Sequence, residues 1–223
     1  MKTVYLVRHG RSTANDKGLL AGRAPFVSLD QVGKAQAMAL GEIFSQKKLD
    51  KLVSSPLERC LDTAKHIKAK QKKNVNIEIS KDFLECDYGS WTNKKIVKLA
   101  ALPLWKTVQE APSQVTFPNG EGLLQMATRA SSGLINLLSK SGKRDSRFLV
   151  VTHADIIKAL IAHALGMHLD QFQKLIVDPA SISTLKFNDN KLFVSGVNDT
   201  AHLKNIDNKT QAPSGAVLGG GAG

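Results

Sequence analysis

The chain has 223 residues, 42% of them hydrophobic and 22% charged, an ordinary globular composition whose length suits one domain with a full core or two small ones. No apolar run approaches the roughly eighteen residues of a membrane span. The opening MKTVYLVRHG reaches Arg8 and His9 too soon for the apolar region of a signal peptide, so the expected location is cytoplasmic. The formal net charge of +12 favours anionic partners. Its densest stretch, Lys65–Lys81, reads as a solvated face, and no aromatic interleaves with it, which makes nucleic acid an unfavoured partner. Cys60 and Cys86 fit neither a disulfide framework nor a zinc spacing and read as free thiols.

In chain order, Thr3–Val7 is a continuous β-rich run, as in a strand buried on both faces. Ser28, with Gln31 three residues on, has the form of a capping box opening a helix whose apolar positions are Leu29, Val32, Leu40, Ile43 and Phe44. Lys51–Ser54 predicts a second strand. In SSPLERCLDTAKHI, Ser55 is the expected N-cap and Pro56 the first helical residue, with Leu57, Leu61, Ala64 and Ile67 turned inward. Val75–Ile79 predicts a third strand. Asp82 to Pro118, broken by three prolines, reads as a lid or cap-like insertion. Gly122–Lys140 is helical, Phe148–Thr152 is another buried strand, and Asp155–Leu165 is a helix with Ile156, Ile157, Leu160, Ile161, Ala164 and Leu165 as its apolar face. Ser183–Phe187 and Leu192–Val197 pair as a hairpin. Residues 1–211 form one domain in this reading, and the Gly/Ala-rich 212–223 a flexible tail. The alternation predicts an α/β fold: a three-layer α/β/α sandwich, mostly parallel, with helices on both faces.

In such sheets ligands collect beyond the carboxyl ends of the strands. His9 follows one buried strand and His153 another, so neighbouring strands would bring the two imidazoles to one pocket. Arg8 stands beside His9, Arg59 lies in the first turn of the helix after the second strand, and the helix after His153 points its positive end the same way. Two arginines, two histidines and a helix N-terminus suit a dianionic phosphoryl group. A neutral imidazole is also a nucleophile near pH 7, and its second ring nitrogen is expected to donate to a backbone carbonyl, that of Gly10. Glu85 and Asp87, after the third strand, offer a proton donor for the leaving oxygen.

At these residues the chain resembles the histidine phosphatase superfamily, which includes the cofactor-dependent phosphoglycerate mutases. LVRHGRSTAN is similar to that family's opening motif, which implies His9 as phospho-accepting nucleophile. VSSPLERCLDTA resembles the segment supplying the second phosphate arginine, Arg59. FLECDYGSW resembles the acid-donor segment, with Glu85 as acid and Tyr88-Gly89 following. VVTHADIIKAL resembles the segment with the second histidine, His153. The resemblance spans Thr3 to Leu165 and implies a phosphoglycerate mutase-like fold, with Gly10, Ser12, Asn15, Gly22, Arg23, Tyr88 and Ala154 as further substrate contacts.

Three positions depart from the family's pattern. Arg11 stands where an acidic residue or Gln is usual and would add charge at the rim. Ala154-Asp155 follow the second histidine where Gly is common, and Asp155 is expected to cap its helix or to order an arginine. Gly120-Glu121-Gly122 lacks a usual Ser. The short interval between Glu85 and Glu121 resembles the phosphatase branch. The leading expectation is therefore a phosphomonoesterase acting on a small phosphorylated metabolite through phosphohistidine, with Arg8, Arg59 and His153 on the phosphoryl oxygens and no metal or organic cofactor. Arg23 would reach a second anionic group of the substrate. A phosphomutase and a non-catalytic phospho-ligand binding protein are the alternatives, and the oligomeric state, a homodimer included, stays open.

Overall fold

The fold was obtained as a computed structural model, and the structure describes residues 1–142, 144–204 and 206. The elements in chain order are β1 (Lys2–Arg8), α1 (Thr13–Asp16), α2 (Gln31–Ser45), β2 (Lys51–Ser54), α3 (Glu58–Ala69), β3 (Ile77–Ile79), α4 (Ile96–Leu99), α5 (Pro103–Glu110), α6 (Leu123–Ser139), β4 (Arg147–Thr152), α7 (Ala154–Leu165), β5 (Ile182–Asn188) and β6 (Lys191–Asp199), with short 3-10 turns between several of them. The expected tail, 212–223, lies outside the described residues.

One six-stranded sheet organises the molecule, in the order β3-β2-β4-β1-β5-β6. The β1–β4, β2–β4 and β2–β3 pairs are parallel, while β5 and β6 form the antiparallel hairpin at one edge. Side chains alternate across the pleat. Val4, Leu6, Val53, Phe148 and Val150 pack with Met126, Leu134, Ile157, Leu160 and Ile161 from α6 and α7. Val7, Leu52, Leu149 and Val151 pack with Leu40, Phe44, Ala64 and Ile67 from α2 and α3 on the other face. Three layers follow directly: each of the central strands is apolar on both sides and needs a helical layer against each face.

Several local expectations shift. The N-cap of α2 is Asp30, not Ser28: its Oδ1 accepts the Gly33 N–H at 2.7 Å. Asp30 stands at the N-cap position itself, with Ser28 two residues short of it, and its carboxylate suits the positive helix end. α3 starts at Glu58 after an extended Leu57, so Ser55 does not cap it and Pro56 lies outside it. The third strand shortens to Ile77–Ile79 because it is a half-exposed edge with one partner strand. Ile43 and Leu165, read as inward, are 39% and 53% exposed at the margins of their helices. The 82–118 segment, expected as a lid, contributes Phe83, Trp91, Leu99, Val108, Val115 and Phe117 to the α6–α7 side of the core. Only a few of its side chains reach the pocket described next.

Candidate active site

The register between β1 and β4 builds the centre. Arg8 lies opposite Thr152, and the His9 N–H donates to the Thr152 carbonyl at 3.0 Å. The next residue on each strand is therefore a histidine, and the His9 and His153 rings sit 5.3 Å apart, inclined at 65°. His9 Nδ1 lies 2.7 Å from the Gly10 carbonyl oxygen. A carbonyl only accepts, so Nδ1 carries the proton and Nε2 bears the lone pair, an assignment made from the hydrogen-bond network. The Arg59 Nε–H donates to that lone pair at 3.1 Å. Gly10 holds this turn because a Cβ there would stand 2.5 Å from the Gly33 carbonyl oxygen in α2.

Arg59, in the first turn of α3, is 2% exposed. Its Nη2 donates to the Gly22 carbonyl at 2.8 Å and to His153 Nδ1 at 3.2 Å, while Nη1 has no partner among the described residues. A buried guanidinium N–H left unmet is costly, and a ligand oxygen would meet it. Gly22 turns the 16–25 loop toward this guanidinium at φ +51°, and a Cβ there would press on the Tyr88 ring at 3.0 Å. With Nδ1 of His153 accepting from Arg59, its Nε2 donates to Ser55 Oγ at 2.8 Å. This is where the Ser55 hydroxyl goes instead of capping a helix. Arg8 is buried, and its Nη1 donates to the Val177 carbonyl at 2.6 Å.

Burial sets the protonation states. It pushes both histidines well below 6.5, and the Arg59 charge adds to this, so each is a neutral imidazole at pH 7. Burial brings the Arg8 guanidinium down to about 10, still a cation. Glu85 is pushed up to about 7, first by burial and then by the negative charge of Asp155, against the pull of Arg59, a hydrogen bond from Cys86 and the charge of Arg8. Its Oε1 accepts the Cys86 N–H at 3.1 Å, and its Oε2 lies 3.8 Å from His153 Nδ1. Thus a neutral base and a carboxyl near half-protonation share one buried site, the division of roles that acid–base chemistry needs.

His9, Arg59 and Glu85 line a pocket whose other walls include Leu19, Leu20, Ala21, Ile96 and the Tyr88 ring. The 16–25 loop is laced to the segment before α4: Leu20 N–H donates to the Lys94 carbonyl, Asn93 N–H to Leu20, and Ile96 N–H to Gly18. Ser12 and Asn15 also line the pocket, but they satisfy one another as the capping box of α1. Ala154 opens α7, and its side chain packs into the core at 1% exposure.

Two arginines are placed differently from expectation. Arg11 is not at the pocket: its Nε is 2.6 Å from Asp30 Oδ2 and its Nη2 3.5 Å from Asp16 Oδ1. The cap of α2 supplies the carboxylate that draws it away. Arg23 donates from Nη2 to Glu121 Oε2 at 2.8 Å, lies 3.6 Å from Asp87, and donates from Nε to the Glu85 carbonyl at 2.9 Å. Glu121 in turn pairs through both oxygens with Arg129, at 3.0 and 2.9 Å. Asp155 does not cap α7. His153 is the N-cap of α7, and the fully buried Asp155 carboxylate accepts the Tyr88 hydroxyl at 2.7 Å. Sequence reasoning missed Ser55 as the partner of His153, and it missed the Tyr88–Asp155–Lys158 contacts. A lysine inside the apolar run DIIKALIA was the available signal for the latter, since a buried ammonium demands an anion.

Among the described residues no helix is long and apolar enough to cross a membrane. A family model described as "Histidine phosphatase superfamily (branch 1)" matches residues 4–200. A relative named phosphoserine phosphatase 1, from Hydrogenobacter thermophilus, is 28% identical over 206 residues, covering 91% of this chain and 95% of that one. The solved structure of YhfR from Bacillus stearothermophilus superposes with a TM-score of 0.84 at 22% identity, covering 92% and 100% of the two chains. A mycobacterial glucosyl-3-phosphoglycerate phosphatase complexed with VO3 gives 0.82 at 20% identity, covering 90% and 100%.

Proposed function

We propose that this chain, which belongs to the histidine phosphatase superfamily, is a phosphomonoesterase in which His9 carries the phosphoryl group. One observation carries the reading: His9 Nδ1 is spent on the Gly10 carbonyl, while its lone-paired Nε2 faces Arg59, whose Nη1 has no partner among the described residues. That is a nucleophile beside an unmet anion donor. The relatives' phosphatase names support it.

In the first step Nε2 of His9 forms a bond to phosphorus as the ester P–O bond breaks, and the leaving oxygen takes the proton of Glu85. Arg59 turns its N–H groups to the phosphoryl oxygens, with Arg8 and His153 as further members of the cradle. In the second step the Glu85 carboxylate removes a proton from water, the water oxygen bonds phosphorus, and the P–N bond breaks to release phosphate and neutral His9. Ser12, Asn15, Gly22 and Tyr88 form the walls around the leaving group. Leu19, Leu20, Ala21 and Ile96 complete the walls, and the two arginines outside the cradle, Arg11 and Arg23, are tied to carboxylates. The preferred substrate is therefore a small monoester without a second anionic group.

Screening phosphorylated metabolites for phosphate release, with His9→Ala as control, tests the reading. Turnover that persists in EDTA and disappears in His9→Ala supports it, whereas metal-dependent turnover surviving His9→Ala sinks it. Phosphate moved to a second position instead of released would make the protein a mutase.

A further inference from the structure

We propose that Asp155 is a positioning residue of this site, a buried carboxylate, held by Tyr88 and Lys158, whose charge keeps the proton on Glu85 between turnovers. The inference rests on the reading of Glu85 as the acid.

The geometry is a line of contacts running inward from the pocket wall. The Tyr88 ring lines the pocket, and its hydroxyl points away from it, donating to Asp155 Oδ2 at 2.7 Å. Asp155 Oδ1 is 3.7 Å from Lys158 Nζ, one helical turn on. Lys158 donates to Gln173 Oε1 at 3.0 Å, and Gln173 donates to the Val108 carbonyl at 3.4 Å. Asp155 and Lys158 are 0% and 1% exposed, on a helix whose other inward residues are aliphatic. A buried ion pair of this kind contributes little to stability compared with apolar residues of the same volume. Its place one hydrogen bond behind Tyr88, three residues along from Glu85, and in the same helical turn that begins at His153, whose Nδ1 is 3.8 Å from the Glu85 carboxyl, calls for a chemical role.

The charges around Glu85 supply one. Arg8 acts on it from the end of β1, Arg59 from α3, and Asp155 and the Lys158 cation from α7; His9 shares its pocket, His153 Nδ1 lies 3.8 Å away, and Cys86 and Tyr88 lie on its own segment. Both histidines are neutral, and burial keeps the Cys86 thiol and the Tyr88 phenol protonated. Glu121, near Cys86, is neutralised by Arg23 and Arg129, and Asp178 acts on Arg8. Arg8 and Arg59, and behind them Lys158, therefore pull Glu85 toward its carboxylate, and Asp155 opposes them. Without that opposing charge the two phosphate-binding cations would strip the acid of the proton it must donate. Tyr88 and Lys158 hold the Asp155 charge in place without bringing another cation to the pocket wall.

Asp155→Asn removes the charge and keeps an oxygen to accept from Tyr88, while Tyr88→Phe removes the hydrogen bond and keeps the charge. The kcat/KM of an alkyl phosphate monoester is followed against pH. Its alkaline limb, which reports loss of the Glu85 proton, should move to lower pH by about one unit in Asp155→Asn and stay at the wild-type position in Tyr88→Phe. If Asp155 only braces Tyr88, the two variants will shift the limb together or leave it unmoved, and the proposal is overturned. Should Asp155→Asn fail to fold around an unpaired Lys158, the double variant Asp155→Asn/Lys158→Gln removes both charges and should shift the limb downward by less than the single variant, because the lost Lys158 cation had favoured the Glu85 carboxylate; an unmoved limb there counts equally against the idea. A wild-type enzyme whose turnover does not depend on His9, or whose alkaline limb survives Glu85→Gln, removes the underlying reading and the proposal with it. A Glu85-dependent limb insensitive to Asp155 removes the proposal alone.

Discussion

The Nε–H of Arg59 points at Nε2 of His9 across 3.1 Å. A guanidinium does not give up its proton, so the imidazole atom aimed at the pocket is the basic one, and it sits against the cation that would receive phosphoryl oxygens. The nucleophile and the anion site are thus held by a single contact, and loss of Arg59 affects both.

Arg59→Lys should therefore be nearly as damaging as Arg59→Ala. A point ammonium cannot reach His9, the Gly22 carbonyl and His153 together, as the planar fork does. We expect kcat/KM to fall by about 10²–10³ in both variants, measured as phosphate release under single-turnover and steady-state conditions. Near-complete rescue by lysine would mean that the site needs charge and not the fork.

Glu85→Gln should discriminate between leaving groups. Alkoxide departure needs the proton and should slow by about 10²–10³, whereas p-nitrophenolate departs with little help and should slow far less. In the wild type, turnover of alkyl esters should fall as pH rises through about 7, the value to which burial and Asp155 push this carboxyl. Equal losses for both leaving groups would show that Glu85 is not the acid.

Glu121→Gln should loosen Arg23, which now spends its Nη2 on that carboxylate. Monoesters bearing a carboxylate should gain relative to uncharged ones by about two- to fivefold in kcat/KM, the worth of one partly exposed ion pair. An unchanged ratio would place Arg23 out of reach of any leaving group.

Stability should fall on acidification in a way that exposes the buried site. His9 and His153 stay neutral in the folded protein well below 6.5, while the unfolded chain takes up protons near 6.5, so each destabilises the fold by about 1.4 kcal/mol per pH unit below that point. Glu85 works in the opposite sense. Its folded value of about 7 against 4.5 means that the folded state binds the proton first, and this contribution is present at acid pH and lost as pH rises through about 7. The offset is absent in Glu85→Gln, so denaturant titrations at pH 6.5 and 5.5 should show a steeper loss in that variant than in the wild type. Parallel pH dependences would contradict the burial assigned to Glu85.

The sequence by itself determined the parts and their order. Short β-rich apolar runs followed by Arg-His-Gly and by Thr-His-Ala read as strands delivering polar residues at their carboxyl ends, and Arg59 in the first turn of the next helix falls at the same end of the sheet. These are local consequences of hydrophobic period and helix start, which is why His9, Arg59 and His153 were legible, whereas Glu85 was singled out from Asp87 only by the resemblance to the family's acid-donor segment. What only the tertiary structure decided is where the remaining charges are spent. Arg11 and Arg23 carry the same charge as Arg59 along the chain, yet Asp30 and Glu121 claim them through loops that come together only in the folded molecule. Ser55 and Asp155 have the residue types of helix caps, and they serve His153 and Tyr88 instead. Burial is the reason: a polar group taken out of water binds whichever partner the packing brings nearest, and packing is not a local property of the chain.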